Sequence, residues 1–286
     1  MKNIINANID LHVHPFLNNN CLIDVVKAMD DTNLDVVALE DFNGNLYPTL
    51  KEKAATHYKK ATFDEAGIKL YGGKYLLNAG EYNTQENLHV ITVGYSYDAD
   101  PKTEIRRIID NGLRNDALVI LDHPFVDNVL TRTAGHVSAE REKSIEYLCQ
   151  EYSGQIAMEW NAYCIPWMRW GLKMGLKATG HKAEYHDVNG RAEALSQKLW
   201  GNGFNVHLIP DTDLHARSKG LLSAMGTSRI ITDLEGECAK DILGSMKRNI
   251  FSGKYESIKK YISSFHLFRA FCLPVLFPNH FYRPRA

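Results

Sequence analysis

The 286-residue chain is poor in cysteine: Cys21, Cys149, Cys164, Cys238 and Cys272 lie far apart, odd in number and without the short paired spacing of a zinc knuckle. That scatter excludes a disulfide framework and reads as reduced thiols in a cytoplasm. An excess of either charge is also missing. Lys and Arg number 33 against 34 Asp and Glu, which argues against a protein whose main task is to coat nucleic acid or an anionic membrane. One lysine and a polar, Asn-rich stretch precede the first apolar run, so no signal peptide is expected. The apolar, aromatic stretch 265–278 is broken by His266, Arg269 and Pro274 and is too short to cross a bilayer. Neither repeat nor low-complexity tract divides the chain.

Present instead is an alternation of short β-branched runs with longer segments of helical period, the pattern of βα units around a parallel sheet. Strands are predicted near 9–13, 35–40, 74–81, 89–95, 117–122, 155–160, 205–210 and 226–232, and helices over 20–31, 48–66, 102–115, 138–152, 187–202 and 236–248. Asn20, Asp100, Ser138 and Asp187 are expected as caps, and Gly67 and Gly203 as helix stops. The Trp-, Met- and Gly-rich segment 164–186 fits no βα unit and reads as an insertion over one barrel mouth. A single α/β domain over 1–250 is therefore expected, with 251–286 an extension packing on the barrel or on a partner.

Chemistry-bearing residues fall at the C-terminal ends of these strands, the active face of an α/β barrel. His12 and His14 follow the first strand, and side chains two apart leave a strand on one side. Glu40 and Asp41 follow the second strand, Glu81 the third, His123 the fifth, Glu159 and Asn161 the sixth, and Asp213 and His215 the seventh. His89 opens the fourth, a short turn after Glu81. Singly, His123 also reads as a core histidine and Glu81 as a salt-bridged strand end. Together, as bare side chains on one rim, they would carry a heavy desolvation and repulsion cost that divalent ions relieve.

In this order, Asp10-x-His12-x-His14, the run 38–43, Gly80-Glu81 followed by His89, His123-Pro124, Glu159-x-Asn161 and Asp213-x-His215 ahead of Gly220 resemble the PHP (polymerase and histidinol phosphatase) domain family over about residues 8–232. The resemblance implies a distorted (β/α)7 barrel and metal-dependent phosphoester hydrolysis. It places one divalent ion on His12, His14, Glu81 and Asp213 and a second on Glu81, His89 and His123. Glu81 is shared, the ions stand roughly 3.5–4 Å apart, and the attacking water lies between them. Three-ion members carry further histidines where this chain has Asn20 and Phe42, leaving only His215. Phenylalanine cannot ligate, so two ions are expected, Zn, Mn or Fe, with a weakened third site drawing on His215 and Glu40 or Asp41 left open. Asp41 is alternatively expected to orient a ligating histidine from behind.

Asp213, His215 and Arg217 are the expected catalytic residues: His215 as proton donor or substrate ligand, Arg217 as a fork on the phosphate. Arg132 and Lys219 are further phosphate candidates. Trp160, Tyr163, Trp167 and Trp170 read either as a stacking surface or as a satellite core. The near-neutral chain is matched to a small phosphomonoester or nucleotide, with no long nucleic acid expected as partner and a homo-oligomer left open. Amidohydrolase-like cleavage of a C–N or carboxylic ester bond and a non-catalytic metal-binding domain are the competing readings.

Overall fold

The computed structural model describes residues 4–17, 20–126, 138–166 and 187–267 continuously, and 171, 174, 177, 178 and 269 singly. Most of the expected insertion 164–186, Arg132 and the chain from 270 onward lie outside the described residues. In chain order the elements are β1 (Ile4–His14), α1 (Leu22–Asp31), β2 (Val36–Leu39), α2 (Tyr47–His57), β3 (Thr62–Phe63), β4 (Gly67–Lys69), β5 (Tyr75–Asn83), β6 (His89–Val93), α3 (Ile105–Arg114), β7 (Leu118–Asp122), α4 (Ala139–Glu151), β8 (Ile156–Asn161), α5 (Val188–Gly201), β9 (His207–Asp211), β10 (Leu214–His215), β11 (Arg229–Glu235), α6 (Ala239–Phe251) and β12 (Glu256–Ile258).

The strands form one sheet in the order β12-β11-β1-β2-β5-β6-β7-β8-β9. Its ends nearly meet, because β9 lies against β1 and β11 and β10, two residues beyond β9, pairs in parallel with β1 through Val13 with Leu214 and His14 with His215. The result is a single α/β domain with a barrel-like sheet. Not every unit is a parallel βα repeat. β6 runs antiparallel to both β5 and β7, and β11 runs antiparallel to β1.

Period two explains where the site sits. Val36 and Ala38 of β2, Tyr75, Leu77 and Ala79 of β5, Leu118 and Ile120 of β7, Ala157 of β8 and Ile209 of β9 share one buried cluster. Continuing each alternation gives Glu40, Glu81, Asp122, Glu159 and Asp211, so every strand that plugs the barrel with apolar residues ends in an inward acid. β1 keeps this only through an irregularity. Ile9 and Leu11 face the inner cluster while Val13 packs outward on α1 and α2. The pairing of β1 with β2 shifts between Asp10 and Val13, a local re-aiming of the kind a bulge provides.

Some sequence expectations are corrected. The helix expected over 48–66 ends at His57, and residues 62–69 fold back as the β3–β4 hairpin. The Tyr47 hydroxyl draws that hairpin in by donating to the carbonyls of Asp64 and Gly67. Gly67 is thus no helix stop: a Cβ there would lie 2.4 Å from the Leu76 carbonyl oxygen, so glycine permits β4 to pair with β5. Ser138 and Asp187 do cap helices, accepting from the amides of Arg141 and Gly190, and Gly203 follows α5 at φ +85°. Asn20 and Asp100 do not; Cys21 and Glu104 hold those positions. Asn20 instead donates to the carbonyls of Pro15 and Ala216, tying the loops after β1 and β10 together.

A sharp packing constraint lies at Gly94, after β6. Its φ is +94° and an added Cβ would stand 2.1 Å from Leu243 Cδ2 of α6. Gly94→Ala is expected to cost about 3 kcal/mol through overpacking and a left-handed non-glycine backbone. Thermal denaturation should register this as a fall of roughly 6–12 °C; an unchanged melting temperature would refute the packing of α6 against this turn.

Candidate metal centre

The rim residues converge on Glu81. One of its carboxylate oxygens, Oε2, lies 3.0 Å from His14 Nε2 and 3.9 Å from His12 Nε2, and the other contacts His89 Nδ1. His12 Nε2 and His14 Nε2 approach to 3.1 Å, about the spacing of two nitrogens on one ion with bonds near 2.1 Å. Asp213 Oδ1 is 3.4 Å from His12 Nε2 and 3.2 Å from His215 Nε2. On the other side of Glu81, His89 Nδ1 and His123 Nε2 lie 3.4 and 3.0 Å from Asp122 Oδ2. Two donor groups, His12–His14–Glu81 and Glu81–His89–Asp122–His123, therefore share Glu81. A third, His14–Asp213–His215, and a fourth, His12–Glu159–Asp211, adjoin them.

His12, His14, Glu81, His89, His123, Asp213 and His215, all expected from sequence, are thus brought to one rim. The expectation missed Asp122 and Asp211. The signal was available: both continue the inward alternation of their strands, and Asp122 faces His89 across the β6–β7 pairing. Glu159 is more than a rim hydrogen-bonder. It holds His12 Nδ1 at 2.8 Å with one oxygen, and with the other accepts from the His123 amide and the Asn161 side chain. Asn161 also donates to Asp213 at 2.8 Å. With Nδ1 directed to Glu159, the Nε2 of His12 faces the rim centre.

Other expectations fail on geometry. Asp41 is exposed and accepts from the Phe42 amide instead of orienting a histidine. Glu40 is the buried member of that pair, 3.7 Å from His12 Nε2. Lys219 is exposed and pairs with Asp24, away from the rim. Trp160 is buried against Tyr261 in the outer core, so it belongs to a satellite core; Trp167 and Trp170 lie outside the described residues. Arg217 sits beside the mouth with its guanidinium 5.5 Å over the Phe16 ring.

Electrostatics test whether cations fit. Glu40, Glu81, Asp122, Glu159, Asp211 and Asp213 are all buried, and no Lys or Arg is among the buried described residues. Neither oxygen of Glu40 or of Asp211 meets a hydrogen-bond donor. Burial pushes the carboxyls of Glu40 and Asp211 well above the usual range, with neighbouring carboxylates adding to it. Against the same burial, the imidazoles hold Glu81 and Asp213 below theirs. For His12, burial is outweighed by Asp213, Asp122 and Glu40, and its pKa rises. Buried acids balanced only by imidazoles form a donor set that suits divalent cations. Phe16, Asn43, His123 and Asp213 have left-handed backbones, with φ between 23° and 54° at these positions, local strain of a sort that gathers at functional sites.

No family model matches the chain, and no curated protein matches it by sequence. Solved structures do share its fold. PsfC from Pseudomonas syringae PB-5123 is similar with a TM-score of 0.54 and 14% identity over 96% of this chain and 99% of that one. The lesion-specific endonuclease PfuEndoQ from Pyrococcus furiosus gives a TM-score of 0.51 and 12% identity over 88% of this chain. The match spans 58% of that endonuclease. The expectation that sets long nucleic acids aside does not stand, because this fold carries an endonuclease. Net charge averages over a whole surface, whereas phosphate recognition at a metal rim is local. Among the described residues no helix is long and apolar enough to cross a membrane.

Proposed function

We propose that the chain is a metal-dependent phosphoesterase whose substrates are phosphate esters of nucleosides or nucleic-acid strands. The observation that carries the reading is the single carboxylate of Glu81 shared between two imidazole-rich donor groups. His12, His14, Glu81 and Asp213 would hold one divalent ion, and Glu81, His89, Asp122 and His123 the other. When bound, such a pair supplies Lewis acidity and lowers the pKa of water at the site.

The remaining work falls to the chain. Glu159 fixes the ring of His12 and the backbone of His123, and Asn161 holds Asp213 against Glu159. Arg217 offers a guanidinium fork to phosphoryl oxygens. His215, partnered by Asp213 at 3.2 Å, is positioned to hand a proton to the departing ester oxygen. Two features favour phosphate over amide chemistry. One is the arginine at the mouth. The other is the lack of any buried lysine among the described residues, which leaves no candidate for a carbamate bridge between ions.

The test is a panel of an aryl phosphate monoester, an aryl phosphate diester, single- and double-stranded oligonucleotides and an aryl amide, each with Mn²⁺ or Zn²⁺. Cleavage of at least one phosphate ester, abolished by chelator and restored by metal, with no amide turnover, is expected. Amide cleavage alone would favour the amidohydrolase reading. Bound metal without hydrolysis of any member would favour a non-catalytic domain.

A further inference from the structure

We infer that Phe42, facing Phe16 and Arg217 across the mouth, is a stacking platform that selects phosphate esters bearing an aromatic base over those bearing a bare sugar. The inference rests on the phosphoesterase reading for the position of the phosphate. Phe42 is 42% exposed, and an exposed phenylalanine alone needs no explanation. This one is locked in place. Its ring stacks on His14 at 4.3 Å and 12°, and lies 5.8 Å from His215. Its backbone bridges to Glu81, the Asn43 amide donates to the Glu81 carbonyl at 2.8 Å, and Asn43 accepts from the Asn83 amide while adopting φ +51°.

Across the mouth, Phe16 also has a left-handed backbone, φ +46°, with its ring 6.2 Å from His215 and 6.3 Å from His14. A phosphate seated at the His14–Asp213–His215 end of the rim would carry its ester substituent out between these two rings. A planar base meets aromatic faces and a guanidinium there, and a ribose has no π face to offer them.

Calorimetric binding to the ion-loaded protein tests this, using the methylenephosphonate analogues of adenosine 5′-phosphate and ribose 5-phosphate, which a hydrolase cannot cleave. Wild type is expected to prefer the base-bearing analogue by about tenfold or more, the worth of one stacked base. In Phe42→Ala the preference should fall to within about twofold, and in Phe42→Trp it should return. Metal content measured by mass spectrometry should match wild type in both variants. No preference in wild type, a preference that survives in Phe42→Ala, or loss of ions from Phe42→Ala would overturn the inference, the last by reducing Phe42 to a support for His14. A base preference that depends on Phe42, in a protein that cleaves no ester, would sink the hydrolase reading and leave the platform standing.

Discussion

Replacing Glu81 with glutamine is expected to strip the ions from both donor groups and lower phosphoester turnover by at least about 10³-fold. Two ions that each contribute several kcal/mol of transition-state stabilisation account for a loss of that order. Glutamine keeps the shape of the side chain but offers one neutral oxygen where the carboxylate reaches His14 with one oxygen and His89 with the other. The fold should survive. Glu81 lies among Glu40, Asp122, Glu159, Asp211 and Asp213, so neutralising it relieves repulsion in the metal-free protein. The check is metal content by mass spectrometry alongside turnover, with circular dichroism as the control. His14→Ala should behave in the same direction. Full metal stoichiometry and turnover within tenfold of wild type in Glu81→Gln would remove the shared carboxylate from the proposal.

Chelation of the wild type is expected to lower the melting temperature by roughly 8–16 °C, reversed by Mn²⁺ or Zn²⁺. The size follows from ligand linkage. A ligand at a thousandfold its dissociation constant stabilises the native state by about 4 kcal/mol, and a chain of this length shifts by roughly 2–4 °C per kcal/mol. The reason lies in the barrel mouth: buried carboxylates without cationic side chains among them repel one another, and ions bound there hold only the folded arrangement together. Scanning fluorimetry with chelator, then with excess metal, decides it. A melting temperature that moves by less than about 2 °C in both directions would mean that the rim does not bind ions tightly.

Much of this architecture was legible before any coordinates. Strand and helix order, single-domain organisation and the placement of acids and histidines at strand ends follow from hydrophobic periodicity, because burial on one face of a strand imposes a period of two. The misread elements have identifiable causes. The β3–β4 hairpin was hidden because residues 48–66 carry a helix-compatible pattern, and the hydroxyl of Tyr47 that captures the Asp64 and Gly67 carbonyls is a contact no local pattern reveals. Asp122 and Asp211 were passed over beside more conspicuous histidines, although the alternation of Leu118, Ile120 and Ile209 points inward to them. Phe42 was read only as the loss of a ligand; its stacked position on His14 is a tertiary fact.

By itself, the sequence determined that His12, His14, Glu81, His89, His123, Asp213 and His215 stand near strand ends, since alternation and turn spacing are local properties of the chain. Only the tertiary structure decided which of them touch. The shift in β1 that turns both His12 and His14 inward, the reversed β6 that carries His89 to Glu81 and Asp122, and the closure of β10 on β1 that brings Asp213 and His215 to His14 are all pairings between segments far apart in sequence. Register between such segments is set by packing over the whole barrel, and no window of sequence contains it.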